Sequence, residues 1–325
     1  MKKMLEATTT PSIRNKRLFE IRKALLTIIP VLFLFARGGI ASPTIGAHTL
    51  AFYPCGGSGG LVTTAIDTQP SGSTILAWVG RGNTNEFNGT VPLDTANNSY
   101  VMLGGMHDYG PAYPTSGEAL YAVASAAGGT GQHVIAPMPG SDEITLAVVE
   151  VKNGGLIQDA KWNVVFSPPH TSLSVTTTNA ATLVAIWAGD SGAASVTAVP
   201  NNGFTTVNSE LLSSCEVEVV VATRDVAAAG TYNVTWTATP TQGAHLWLVA
   251  VQTEPLPSLR AQAAGGNVVI SWPSSATSFG LETTSNLSAG NSWTPVTNGT
   301  VVINFQNTIT NAISQPSQYY RLKKQ

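Results

Sequence analysis

Charge is what this 325-residue sequence has least of: Asp, Glu, Lys and Arg make up 10% of it, against roughly 25% in an ordinary soluble domain. The little there is lies unevenly. Residues 1–41 carry eight bases (Lys2, Lys3, Arg14, Lys16, Arg17, Arg22, Lys23, Arg37) against Glu6 and Glu20. Subtracting these from the totals of 16 bases and 18 acids leaves eight and 16, a formal net of −8 for residues 42–325. An acidic body without a basic stripe has nothing to neutralise phosphates, which argues against nucleic-acid binding. Metal-ligand spacing is missing too, since His48, His107, His133, His170 and His245 are scattered without an H-x-x-x-H pair. No stretch of useful length has a helical period. There are two cysteines, Cys55 and Cys215, so one disulfide at most.

The basic, acid-poor start precedes an apolar run, Ala24 to Phe35, and then Gly39-Ile40-Ala41 supplies the small residues of a cleavage site. This is the anatomy of a secretory signal peptide over residues 1–41. The run is 12 residues, short of the ~20 that a spanning helix needs, so no membrane span is expected after cleavage. An uncleaved anchor is the alternative. Export places both cysteines in an oxidising compartment, where the expected disulfide Cys55–Cys215 would close a long loop.

What is present is strand grammar. In Thr231–Thr239, Tyr232, Val234, Trp236 and Ala238 alternate with polar residues at a period of two. His245 to Val251 is apolar on both faces, and the two read as a hairpin around Pro240–Gly243. A dozen or so such segments, separated by turn formers, predict an all-β antiparallel two-layer sandwich, jelly-roll or immunoglobulin-like, over residues 42–253. A proline-spaced linker, 254–260, leads to a small β module at 261–325 of about five strands.

Two resemblances accompany this reading. GSTILAWVGRG, DTANNSY, EALYAVASAAGGTGQHVIA, DEITLAVVEV, TTTNAATLVAIW and AAGTYNVTWT, within about residues 72–251, resemble a β-sandwich domain of secreted and surface proteins of environmental bacteria. The tail from SWPSSATSFGLETTSNL to YYRLKKQ is similar to a C-terminal module on exported proteins of Verrucomicrobia-like bacteria. Both imply fold and an extracellular, cell-surface or periplasmic location. Neither implies a catalytic set.

Two serine motifs match by the letter only. Gly56-Gly57-Ser58-Gly59-Gly60 lacks the strand and helix of a nucleophile elbow. Gly189-Asp190-Ser191-Gly192 sits between strands, where it makes a turn. Glu216 and Glu218 share a strand face and could act as a glycosidase pair, but alternation with valines makes that face the solvent side. Asp94, Asn97 and Asn98 offer oxygens that would suit Ca²⁺ as a cofactor, though an Asx-rich turn needs no ion. The segment Gly104–Gly117 reads as a long loop in which His107, Asp108, Tyr109 and Tyr113 could form a glycan platform, because exposed aromatics stack on sugar faces. The expectation is therefore an exported non-catalytic binding or surface-structural protein, with a polysaccharide or cell-surface component as partner. A glycan hydrolase and a purely structural envelope component are the alternatives, and the oligomeric state is left open.

Overall fold

The computed structural model describes residues 41–324, apart from 54–59, 111–112, 138–139, 141–142, 190–195, 212–216, 240–242 and short stretches between 275 and 316. The leader, Cys55, Cys215, Glu216 and the serines Ser58 and Ser191 lie outside the described residues. Two compact units divide the chain near residue 256. Among the described residues no helix is long and apolar enough to cross a membrane.

The first half of the main unit runs β1 (Thr44–Tyr53), β2 (Leu61–Val62), β3 (Ser71–Arg81), β4 (Leu93–Asp94), β5 (Val101–Tyr109), β6 (Tyr113–Ala127), β7 (Val134–Ala136) and β8 (Ile144–Lys152). The second half runs β9 (Leu156–Val165), β10 (His170–Thr171), β11 (Val175–Thr177), β12 (Ala181–Gly189), β13 (Thr197–Pro200), β14 (Thr205–Glu210), β15 (Glu218–Val226), β16 (Gly230–Tyr232), β17 (Thr235–Thr239) and β18 (Ala244–Gln252). Each half builds a five-stranded sheet and a short outer sheet, all antiparallel. In the first, the orders are β1-β8-β3-β6-β5 and β2-β7-β4. In the second they are β9-β18-β12-β15-β14 and β10-β17-β13, with the pair β11-β16 alongside. Strand for strand, the second order repeats the first. Even β11-β16 has its counterpart in the isolated bridge Ile66–Gln132.

The two large sheets lie face to face as a sandwich, the expected all-β antiparallel class, and each carries short strands on its outer side. One core lies between β2-β7-β4 and its sheet, built on Ile75, Ala77, Val79, Tyr121 and Leu146. A second lies between the large sheets, with Trp78, Leu120, Val149, Ile186, Val219 and Trp247. A third lies under the outer strands of the second half, with Leu183, Trp187, Val234, Trp236 and Leu246. This explains the continuous apolar runs. β12 and β18 are buried at all nine positions each because their sheet is covered on both sides, whereas β17 alternates buried and wet.

The facing follows an approximate internal twofold. β1 lies over β14, where His48 Nδ1 meets Asn208 Oδ1 at 2.9 Å. β5 lies over β9, where the His107 and Trp162 rings stack at 3.6 Å. Since β14 corresponds to β5 and β9 to β1, exchanging the halves reproduces the packing. The close approach is set at Gly80 of β3, where a Cβ would stand 2.5 Å from the Trp78 ring and 2.7 Å from Val217.

Two local expectations are corrected. The 231–252 hairpin does not form: its first arm is split into β16 and β17, and β17 pairs with β10 and β13 in the outer sheet while β18 pairs with β9 and β12 in the inner one. The period-two pattern identifies strands, but a crossover between layers has the same local signature as a hairpin. Glu218 is fully buried in an internal strand between β14 and β12, so its face is not the solvent side.

The tail unit, residues 257–325, has β19 (Arg260–Ala264), β20 (Asn267–Pro273), β21 (Phe279–Thr284), β22 (Thr294–Pro295), β23 (Val301–Ile303), β24 (Gln306–Ala312) and β25 (Tyr319–Lys324). They form the sheets β19-β20-β24-β23 and β22-β21-β25 around Ile270, Trp272, Leu281, Ile309 and Tyr320. Arg321 bonds the Glu282 carboxylate at 2.6 Å and lies 4.3 Å over the Trp293 ring.

Candidate functional site

The segment read as the 104–117 loop is the strand pair β5 and β6, and this decides where its residues go. Register breaks between Leu103 and Met106 and between Asp108 and Tyr109 bend β5, and such bulges re-aim side chains. Tyr109 turns inward and is buried, Asp108 stays exposed, and His107 is half-buried. Tyr113 starts β6 and pairs with Tyr109 along the backbone; its side chain lies outside what is described. The exposed aromatic here comes from elsewhere: Phe166, just after β9, is 59% exposed and lies over Gly110 and Gly243.

His107 and Tyr109 join a cluster whose centre the sequence did not reveal. Glu118 of β6 has no exposed surface. Its carboxyl accepts the Trp78 indole N–H at 2.8 Å and the Trp247 indole N–H at 2.8 to 2.9 Å on its two oxygens. His245 Nδ1 stands 3.4 Å from the same group. The Tyr109 ring lies 4.5 Å from the His245 ring, and Trp162 packs edge-on to it at 5.4 Å. Burial pushes the His107 imidazole below its ordinary range; His245 adds to that, while Glu118 and Asp108 oppose it. His107 Nε2 is buried without a hydrogen-bond partner among the described residues.

Chemically this is a sealed acceptor, with donors from both large sheets. Two indole N–H groups point at the carboxyl, and with no exposed surface it presents nothing to solvent. Glu218 is equally buried but faces the other way, because its neighbours Val217 and Val219 point into the core between the large sheets. The remaining titratable candidates are also bound into the fold. Asp94 accepts from the backbone and side-chain nitrogens of Asn98 at 2.9 and 2.7 Å and from the Tyr100 hydroxyl at 3.1 Å. The Asn98 amide oxygen takes the Ala127 N–H. Asn97 adopts the left-handed conformation at φ 60° that such a turn requires. Among the described residues no cluster of three or more His, Cys, Asp or Glu could hold a metal ion. His48 meets Asn208, His133 meets the Thr63 carbonyl, and His170 takes the Trp187 indole N–H.

Open space lies at another corner. A cleft of about 410 Å³ is lined by the chain at Ser42-Pro43, the start of β9 (Leu156, Gln158), the turn before β12 (Thr178 to Ala180), Gln252 at the end of β18 and residues 253–255 beyond it. At its wall the Gln252 amide oxygen accepts the Thr178 N–H at 3.4 Å and its hydroxyl at 3.2 Å. Gln158 is the extra residue of a β9 bulge, for Ala250 pairs with Asp159 and Val251 with Ile157. Its signal in the sequence is slight, because Gln158, Asp159, Lys161 and Asn163 interrupt the apolar residues of β9. Set against known proteins, the chain matches no family, no curated sequence and no solved structure, so its chemistry is read from its own geometry.

Proposed function

We propose that the chain is an exported, non-catalytic binding protein of the extracellular space or cell surface, with carbohydrate as its ligand class, and that the tail unit is a sorting or docking element. One observation carries the non-catalytic part: Glu118, the carboxyl at the centre of the titratable cluster, is closed to solvent and already accepts two indole N–H groups. A glycosidase needs an acid and a base or nucleophile about 5 to 10 Å apart across an open groove. Glu118 and Glu218, turned to different layers, do not offer that. The strand orders β1-β8-β3-β6 and β2-β7-β4 support the jelly-roll alternative over the immunoglobulin-like one.

The test is co-sedimentation of residues 42–325 with insoluble polysaccharides, combined with an assay for released reducing sugar. Binding without release is expected. Release would reinstate the hydrolase, and absence of binding to every polymer would leave the structural role.

The disulfide belongs to the same proposal. Tyr53 pairs with Ile144, which pairs with Arg81, and neighbouring Gly80 packs against Val217. Two residues from each cysteine, then, the chain comes to one end of the sandwich. A link there would contribute about 2 to 4 kcal/mol. Alkylation followed by mass measurement should find reactive thiols only after reduction; two thiols alkylated without reductant would discard the link.

A further inference from the structure

We infer that the cleft beside Gln158 and Asn179 is the glycan site and that it selects uncharged sugars, an inference that rests on the carbohydrate reading above. The duplicated fold supplies the control. In both halves the same three pieces meet at one corner: the end of the last strand, the start of the first, and the turn before the third. In the first half that corner is filled. Glu150 near the end of β8 accepts the Ala47 N–H in the β1 bulge at 3.0 Å and the Gln69 N–H at 2.6 Å. It presses so closely on Gly46 that a Cβ there has no room. In the second half the acceptor is the amide of Gln252. It fastens only the turn, through Thr178, and the bulge in β9 turns Gln158 into the cleft's lining. The topology does not require an opening here; the side chains of one half make it.

The lining states the ligand. Gln158, Asn179 and Gln252 are amides, each donor and acceptor at once, as sugar hydroxyls are. Leu156 and Ala180 add an apolar surface for C–H faces. Glu254 is the one acid of the lining, and no Lys, Arg or His is among it. If the leader is removed after Ala41, the Ser42 α-ammonium joins the rim and offsets Glu254. With Glu254 offsetting that ammonium, the lining carries no net positive charge to hold a carboxylate or sulfate, and the acidic body repels one. The volume lies within the range of small-ligand pockets, about 300 to 1,000 Å³.

The experiment is affinity electrophoresis of residues 42–325 through gels containing mixed-linkage β-glucan, galactomannan or arabinogalactan, with polygalacturonate as the charged control. At least one neutral polymer should retard the protein and polygalacturonate should not. Gln158→Ala and Asn179→Ala, at half-buried and exposed positions, should each weaken retardation on the order of tenfold, one hydrogen bond's worth. Phe166→Ala should change nothing. Unaltered retardation of both cleft variants, or its loss in Phe166→Ala, would overturn the cleft while leaving the carbohydrate function standing. Equal retardation by polygalacturonate would overturn the selectivity. A wild-type protein retarded by no polymer would overturn the site and the function together.

Discussion

At the scale of the residue, Glu118 shows what a buried acid does when it is not catalytic. Its two indole partners come from β3 and β18, 40 and 129 positions away in the chain, so it ties the two large sheets together. Glu118→Ala orphans two buried N–H donors and should cost about 3 to 5 kcal/mol. Glu118→Gln keeps one oxygen as acceptor and should cost about half of that. Urea midpoints of both variants decide it, and a loss under about 1 kcal/mol for Glu118→Ala would show that the acceptor is dispensable. None of this was legible, because a lone Glu in GEALYAVA has no motif and its partners are set by tertiary packing. His107 was legible as a residue of interest but not as a buried one, since the bulges that turn β5 inward leave no mark in composition. Because burial depresses its pKa, the unfolded chain, with a value near 6.5, takes up the proton before the folded protein does. Stability from this group is therefore complete above about pH 6.5 and declines on acidification through the folded value. His107→Phe keeps the stacking on Trp162 without titrating. Compared with it, the wild type should lose stability as pH falls from about 7 to 5, read from urea midpoints; a constant difference would show that His107 does not titrate with folding.

At the scale of the element, many strands were legible, though not those in the 104–117 stretch, and their partners were not. The alternation of β17 and the apolar run of β18 were both readable from side chains, yet the two strands belong to different layers. The edges complete the picture. Each of the four lateral strands of the large sheets, β1, β5, β9 and β14, lies along a ladder with a register break, a device that discourages edge-to-edge association. In the tail unit β23 has no such break. Val301, Val302 and Ile303 are all more than half exposed there, in a stretch from residue 283 to 320 without a single charged side chain. Val302→Lys should raise the concentration at which the protein begins to self-associate, measured by light scattering, with little effect on the unfolding midpoint. An unchanged threshold would clear β23 of that role.

At the scale of the whole molecule, the fold class was open to sequence reading because it depends on local periodicity. The doubling was not, since the halves share topology without a readable repeat of residues. The core between the large sheets belongs to both halves, so neither can bury Trp78, Leu120, Ile186 and Trp247 alone. Residues 42–153 expressed by themselves should aggregate or pair with themselves. Co-expressed with residues 154–256 they should recover a soluble complex with one cooperative transition, detectable by size exclusion and calorimetry. An independently soluble monomer of either half would refute the shared core.

The cleft has one further property. Its walls include both Ser42-Pro43, where the chain enters the main unit, and Thr253 to Pro255, where it leaves. With the leader removed, the mature chain would begin at the same wall from which it leaves, so tension arriving through residues 253–255 would meet this corner before it reached any core. A ligand seated there would bridge the first residues of the unit and its last, so grip on the ligand and resistance to being pulled open would be properties of the same few residues.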